Sequence, residues 1–328
     1  MIDWRPTASR TALERRAQML ARTRRFFADR QVLEVDTPLV VNSPVTDVHI
    51  HSARVTLTDV APGTAQPQSP PYFLHTSPEY AMKRLLAAGS GDIFQICHVV
   101  RGFERGRIHN SEFTLIEWYR TGFSLDRLMK EVQELVLELL GPAGASRSGE
   151  RLTYREAFRR ELQLDPFAVG DAELAEVARS FGYTVGGPTS RDELLEFLMG
   201  TRVGPKLGVG GLTFVHGYPA SQAALARVDP SDPAAALRFE LYCDGIELAN
   251  GFHELASAAE QRLRFENDVA ERRRRGLPSY PLDENLLAAL AEGLPDCAGV
   301  ALGFDRLAML ATGLRSIDEV LAFPTERA

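Results

Sequence analysis

The sequence predicts an α+β fold, an antiparallel sheet flanked by helices. Three observations carry that expectation. Extended apolar runs come in pairs separated by turn-forming residues, as hairpins do. Apolar residues recur at helical spacing before, between and after those pairs. The last extended segment, Gly299 to Gly303, runs directly into a helical pattern. Strands joined by hairpins, with helices to cover them, suit an α+β layer arrangement.

In chain order, residues 11–30 form an amphipathic helix, with Leu13, Ala17, Leu20 and Phe27 at helical spacing and Thr11 and Glu14 as a capping box. Val32 to Pro38 is rich in β-branched residues and ends in proline, which suits an edge strand. Val60 to Pro71, rich in Pro, Gln, Gly and Ser, is a surface loop. Asp92–Arg101 and Glu112–Tyr119 make an antiparallel hairpin around the long loop Gly102–Asn110. A helix over Ser124–Leu140 is stopped by Gly141-Pro142. Residues 142–205 carry helices and loops without recognisable chemistry and are taken as a helical insert in a single domain spanning 1–328. Strands return at Leu212–Val215 and at Arg238–Asn250, the latter folded at Asp244-Gly245, a strong two-residue hairpin signal. Ser257 and Glu260 cap a helix that ends at Arg272–Arg275 and Gly276.

With 328 residues, 45% of them hydrophobic, the chain can bury a core. The net charge of −7 excludes a protein whose main task is coating nucleic acid, since neutralising phosphates needs clustered cations. No signal-like or membrane-spanning apolar run is present, so the expected location is the cytoplasm, without membrane contact. Cys97, Cys243 and Cys297 are odd in number and lack a CxxC pair, which leaves them as core residues.

Chemistry gathers at a few places. Arg101 ends one hairpin strand, and Arg105, Arg107 and His109 fill its loop, a pattern for a polyphosphate or for a solvated basic turn. Across the Asp244-Gly245 turn, Tyr242 opposes Glu247 and Glu240 lies diagonal to it, so the two carboxylates either share a hard cation such as magnesium or are exposed strand residues. Glu254 falls on the opposite face from Glu247 unless a bulge intervenes, and Gly251 is the expected bulge. An acceptor at Glu254 suits an ammonium group. Arg306 opens the last helix beside Gly303, either as a ligand contact or as a capping arginine.

Phe94–Arg101 together with His109–Tyr119 resembles the second signature motif of class II aminoacyl-tRNA synthetases, and Gly299–Arg306 resembles the third. Glu34–Pro38 is similar to the end of the first, the dimer motif. Thr76-Ser77-Pro78-Glu79-Tyr80 and Glu247–Glu254 resemble the amino-acid-binding segments of the lysyl branch. The motifs stand in the right order across nearly the whole chain. The first catalytic helix starts near Thr11, which leaves no room for the anticodon-binding domain of lysyl-tRNA synthetases. His75–Tyr80, Ile116–Arg120, Pro219–Ala223 and Ala301, where lysyl-tRNA synthetases carry glycine, narrow the resemblance to the elongation factor P lysyltransferase family.

That resemblance implies a homodimer that activates (R)-β-lysine with ATP and magnesium and transfers it to a lysine of elongation factor P, without reading a tRNA anticodon. By the same resemblance Arg101 holds the α-phosphate and substrate carboxylate, and Arg306 the γ-phosphate. Glu240 and Glu247 bind magnesium and ATP. Ser77, Glu79, Tyr119, Glu254 and Ala301 line the amino-acid site, while Glu104, His109, Asn110, Phe113, Leu248 and Gly303 frame ATP. Two positions depart from the motif: Phe103 stands where glutamate usually follows the arginine, with Glu104 next, and Ser111 replaces a proline. Other class II ligases, of lysyl-tRNA synthetase or asparagine synthetase type, and a non-catalytic regulatory paralogue are the alternatives; the pair Glu79 and Glu254 favours a substrate with two amines. Two basic runs are candidate docking surfaces for an acidic acceptor: the arginines of the first thirty residues, among them Arg22, Arg24 and Arg25, and Arg272–Arg275, which at a helix C-terminus is either such a surface or a solvated face favoured by the helix dipole.

Overall fold

The computed structural model describes residues 4–56, 71–102, 104–184 and 189–328. The chain folds into two compact units, one of Met1–Gly122, Ala256–Cys297 and Ala301–Ala328, the other of Phe123–Leu255 and Ala298–Val300. The segment Val60–Pro71, expected as a loop, lies outside the described residues except for Pro71, and Phe103 lies outside them too.

The first unit is organised by the helix Arg10–Ala28 and the hairpin Ile93–Val100 with Glu112–Thr121. The N-cap is Ser9, whose side chain accepts the Ala12 N–H, so the capping box expected at Thr11 and Glu14 is corrected. Glu14 instead takes the Arg10 guanidinium, 2.8 Å away. The helix buries Ala12, Met19, Thr23, Phe26 and Phe27. Phe27 stacks on Phe94 at 4.4 Å and meets Trp118 edge-on at 5.3 Å. Gln95 pairs with Glu117 and Ile93 with Tyr119 across the hairpin. Because strand side chains alternate, the helix covers the Phe94, Ile116 and Trp118 face, and Gln95, Cys97, Phe113, Glu117 and Tyr119 share the other. The strand expected over Val32–Pro38 is shorter: only Leu33–Glu34 pairs, parallel to Ile93–Phe94, before the chain leaves ahead of Pro38. Val40–Val41, Tyr72–Leu74 and Arg54–Val55 form a small antiparallel sheet in that order.

In the second unit, Ser124 caps the helix Leu125–Leu140, and Gly141 ends it at φ 60°. The strands Ile246–His253, Asp232–Cys243 and Leu212–Pro219 pair antiparallel, and Gly149–Thr153 joins the last of these in parallel. That parallel strand corrects the expectation of only helices and loops over residues 142–205; its exposed face carries no alternation to betray it. With Leu33–Glu34 also parallel, both units hold mixed pairings rather than purely antiparallel ones. Three helices, Tyr154–Leu162, Asp171–Ser180 and Arg191–Leu198, pack Tyr154, Phe158, Leu174, Leu195 and Leu198 against Val215, Tyr218 and Tyr242.

The hairpin turn is the expected one. Asp244 and Gly245 have φ of 49° and 74°, the two left-handed positions of a type I′ turn. A Cβ on Gly245 would fall 2.5 Å from the Pro205 carbonyl oxygen, so only glycine fits. Tyr242 pairs with Glu247 as expected, but Leu241 then pairs with Ala249 and Glu240 with Asn250. The extra residue is Leu248, so the bulge sits there and not at Gly251. Gly251 is required for another reason: a Cβ would lie 2.4 Å from the Phe239 ring.

Among the described residues no helix is long and apolar enough to cross a membrane. Cys97, Cys243 and Cys297 are free thiols. The run Arg272–Arg275 is not an open cationic patch. Arg272 is wholly buried and donates to the carbonyls of Asp47, Ile50 and Pro278, while Arg274 and Arg275 both clasp Glu271.

Candidate active site

In the first unit, Arg101 stands where Ile93–Val100 enters the loop. Its backbone N–H donates to Ser111 O at 2.8 Å and its Nε to Thr76 O at 3.3 Å. The guanidinium carbon lies 5.2 Å from the centroid of Phe113, a cation-π contact that pairs a phosphate-binding group with an aromatic platform. Arg306 approaches the same loop from the helix Phe304–Thr312: its Nη2 lies 2.6 Å from His109 Nε2, and its Nε donates to Ile108 O at 3.2 Å. Burial lowers the His109 pKa, and the Arg306 and Arg101 cations lower it further against Glu104. His109 is therefore a neutral imidazole at pH 7, with Nε2 free to accept from Arg306. Glu104 has its carbonyl 3.4 Å from the Ser111 hydroxyl, so the serine found in place of a motif proline bonds across the loop. Asn110 is 3% exposed; its amide donates to Glu112 O at 2.6 Å and accepts from Thr325 N at 3.1 Å.

Asp305, next to Arg306, fixes that helix. Its carboxylate accepts the Thr114 N–H at 2.7 Å and pairs with Arg16, which also donates to Thr114 Oγ1 at 2.7 Å. Gly303, directly before the helix, and Ala301 are half-buried at the end of the strand Cys297–Gly303.

The hairpin face that carries Phe113 also holds a carboxylate cluster, centred on a residue that sequence reasoning passed over. Glu117, 2% exposed, accepts from Ser77 Oγ at 2.7 Å and from Tyr119 Oη at 2.8 Å. Ser77 Oγ in turn accepts the Glu79 N–H at 3.1 Å, and the Glu79 side chain pairs at 2.7 Å with Lys83, itself 1% exposed. The missed signal was Glu117 itself, a carboxylate inside the apolar run Phe113–Trp118 on the same strand face as Tyr119. Burial, then Glu117, pushes the Cys97 thiol up to about 12, so it is no nucleophile.

In the second unit, Glu240 and Glu247 share a strand face, and the bulge at Leu248 brings Asn250 onto it. Glu240 is 7% exposed; Oε2 accepts from Tyr218 Oη at 2.6 Å and Tyr242 Oη at 2.5 Å, and Oε1 from Arg238 Nη2 at 2.5 Å. Glu247 is half-buried, the Leu248 side chain is buried, and Glu254 is 1% exposed. The Glu254 carbonyl accepts from Arg227 Nε at 2.6 Å, which fixes the strand end that carries this carboxylate. Among the described residues no three His, Cys, Asp or Glu side chains gather as a protein-only metal cage. A magnesium ion that takes most of its ligands from phosphates and water needs only one or two carboxylates. Glu247 fits that role, and Oε1 of Glu240, with one lone pair beyond the Arg238 bond, fits as its neighbour.

A cation-π arginine at a strand end, a second arginine on a glycine-preceded helix and a neutral histidine between them form an arrangement for phosphates rather than for acid-base chemistry. The profile of the tRNA synthetases class II (D, K and N) matches residues 1–327. The chain belongs to this family. It is 49% identical to the elongation factor P (R)-β-lysine ligase of Klebsiella pneumoniae subsp. pneumoniae over 327 residues, 99% of this chain and 98% of that one. Proteins of the same name from Salmonella paratyphi B and Salmonella heidelberg are 48% identical over the same shares. The segments that resemble the second and third class II motifs lie on the hairpin and, for Gly299–Arg306, on the strand Cys297–Gly303 and the start of the helix Phe304–Thr312.

Proposed function

We propose that this chain is an ATP-dependent ligase that activates (R)-β-lysine and transfers it to a lysine side chain of elongation factor P. The observation that carries this reading is the 49% identity, over nearly the full length of both chains, to a relative named for that reaction. The buried carboxylates Glu117 and Glu254 support it, since they suit a substrate bearing amines rather than a second carboxylate.

In this reading the substrate carboxylate attacks the α-phosphorus of ATP, and pyrophosphate departs. Arg101 orients the carboxylate and α-phosphate, Phe113 stacks on adenine, and Arg306 neutralises the γ-phosphate. Glu247 and Glu240 would hold magnesium, which would supply charge neutralisation to the phosphates. Positioning and charge neutralisation do most of the work of such a displacement. Glu117, Tyr119 and Glu254 hold the substrate ammonium groups, with Ser77 fixing Glu117. Glu79 is balanced by Lys83 and sets the local field. The acceptor's neutral lysine amine then attacks the carbonyl of the mixed anhydride, and AMP departs. The working form is a cytoplasmic homodimer, supported by the resemblance of Glu34–Pro38 to the dimer motif and by the exposed Leu33 and Leu39 flanking it. Pyrophosphate exchange that depends on (R)-β-lysine, followed by mass increase of elongation factor P, tests the reading.

Two further results are expected. Ala301→Gly removes one methyl beside Gly303 and should move the preference toward α-lysine by tens of fold at most, about 1–3 kcal/mol. An unchanged ratio of kcat/KM for the two isomers would leave Ala301 as packing. Reversing charge at Arg22, Arg24 and Arg25 should slow transfer to elongation factor P and leave adenylate formation intact, with the effect fading above roughly 0.15 M salt. Arg24 is bonded to Glu34 at 3.0 Å, so Glu34→Gln is the control for that lost pair. Equal slowing of both steps would assign the helix to structure alone.

A further inference from the structure

We propose that Arg105 and the segment Arg315–Arg327 act as a clamp that positions the loop Glu104–Asn110 and thereby sets the affinity for ATP. This inference rests on the proposed role of His109 and Arg306 in binding the phosphates. Five contacts carry it, spread over the length of the loop. The Arg105 guanidinium forks onto Asp318, with Nη1 to Oδ1 at 2.9 Å and Nη2 to Oδ2 at 2.8 Å, and Nη2 reaches Glu326 at 3.3 Å. Ile317 N donates to Arg107 O at 2.9 Å, and Arg107 Nη1 returns a bond to Arg315 O at 3.1 Å. At the loop's end, Thr325 N donates to the buried Asn110 amide at 3.1 Å.

The segment is itself rigid. Ser316 and Glu319 form a capping box around the turn Ile317–Glu319, and Glu319 also accepts from Arg315 N at 3.0 Å, so Asp318 is presented in a fixed direction. Farther along, Ala322 O accepts from Thr7 N at 2.8 Å and Arg327 donates to Arg5 O at 3.0 Å, which ties the segment to the start of the same unit. The loop passes this order on: Gly106 and His109 exchange backbone bonds at 3.1 and 3.2 Å, and Ile108 O and His109 Nε2 both hold Arg306. Bidentate arginine-carboxylate pairs give geometry as well as attraction. A loop held in its binding conformation costs the ligand less than one that must be ordered, because apparent affinity scales with the competent fraction. Arg105, Asp318 and Glu326 are thus positioning residues that act through His109 and Arg306.

The test is Asp318→Asn combined with Glu326→Gln, which keeps shape and removes charge. Hydrogen exchange of the amides in 104–110 should quicken in the free protein. The ATP KM in amino-acid-dependent pyrophosphate exchange should rise about 3- to 10-fold, with kcat and the amino-acid KM unchanged. The ratio of variant to wild type should shrink toward one in roughly 0.5 M salt, since only the wild type has ion pairs to screen. Arg105→Asp paired with Asp318→Arg should recover most of the wild-type protection and KM. Unchanged loop exchange overturns the clamp. Quickened exchange with an unchanged ATP KM overturns its link to ATP. An equal rise in both substrate KM values with a lowered Tm overturns it in favour of general support. Because loop exchange is read without substrate, it decides the clamp even if wild-type protein activates no amino acid, an outcome that would defeat the functional reading instead.

Discussion

Arg306→Ala should lower pyrophosphate exchange by about 100- to 1000-fold, equivalent to roughly 3–4 kcal/mol of transition-state stabilisation. The residue is held from two sides, by His109 Nε2 and Ile108 O, on a helix that Asp305 fixes to Thr114 and Arg16. Such a cation is preorganised, so no reorganisation is needed when charge shifts onto pyrophosphate. Lysine at this position keeps the charge but loses the second contact, and should recover only part of the rate. Steady-state exchange with saturating (R)-β-lysine, alongside Tm, checks this. Activity within about threefold of wild type at an unchanged Tm would contradict the assignment. The same contact sets an acid limit. Since the folded pKa of His109 lies below its ordinary value of about 6.5, the neutral form contributes stability that is fully present above that pH. It is lost as pH falls through the lowered folded value, when an imidazolium would face Arg306 and Arg101. Arg306→Ala should move that acid limb upward, because one of the cations depressing His109 is gone.

Glu254→Gln should cost on the order of 2–4 kcal/mol in amino-acid recognition while sparing ATP binding. The side chain is 1% exposed at the end of the strand Ile246–His253, with its backbone fixed through Arg227 and the bridge to Ala226. Glutamine preserves size, so what changes is the charge offered to an ammonium group. The amino-acid KM should rise by about 30-fold or more, and the ATP KM should stay within about twofold. Unaltered kinetics for the amino acid would remove Glu254 from the substrate site.

The hairpins, the helix over Leu125–Leu140 and the Asp244-Gly245 turn were legible because each has a local cause: alternation, a serine cap, a glycine that only the turn requires. The strand Gly149–Thr153 was not, since an exposed edge strand gains its order from Leu212–His216 across the ladder rather than from its own pattern. The bulge was expected from the need to bring Glu254 round to the face of Glu247, and a bulge is there. Its site, Leu248 rather than Gly251, depends on packing: Gly251 makes room for Phe239. Candidate phosphate residues could be named from spacing, but Glu117 could not be given its partner Ser77, which lies 40 positions away, whereas the pair Glu79 and Lys83 is only four residues apart on one helix. In the same way, Arg272 looked like part of a basic surface until its guanidinium was found binding carbonyls from segments over 200 residues away.

The most direct test of the central claim is transfer. The purified chain, ATP, magnesium and either (R)-β-lysine or α-lysine would be incubated with elongation factor P and, separately, with lysine-accepting tRNA, and the acceptors followed by intact-mass spectrometry and acid-stable label. The account predicts one β-lysyl addition to elongation factor P, faster with (R)-β-lysine than with α-lysine, and no charging of tRNA. Charging of tRNA with α-lysine, with elongation factor P left unmodified, would contradict it.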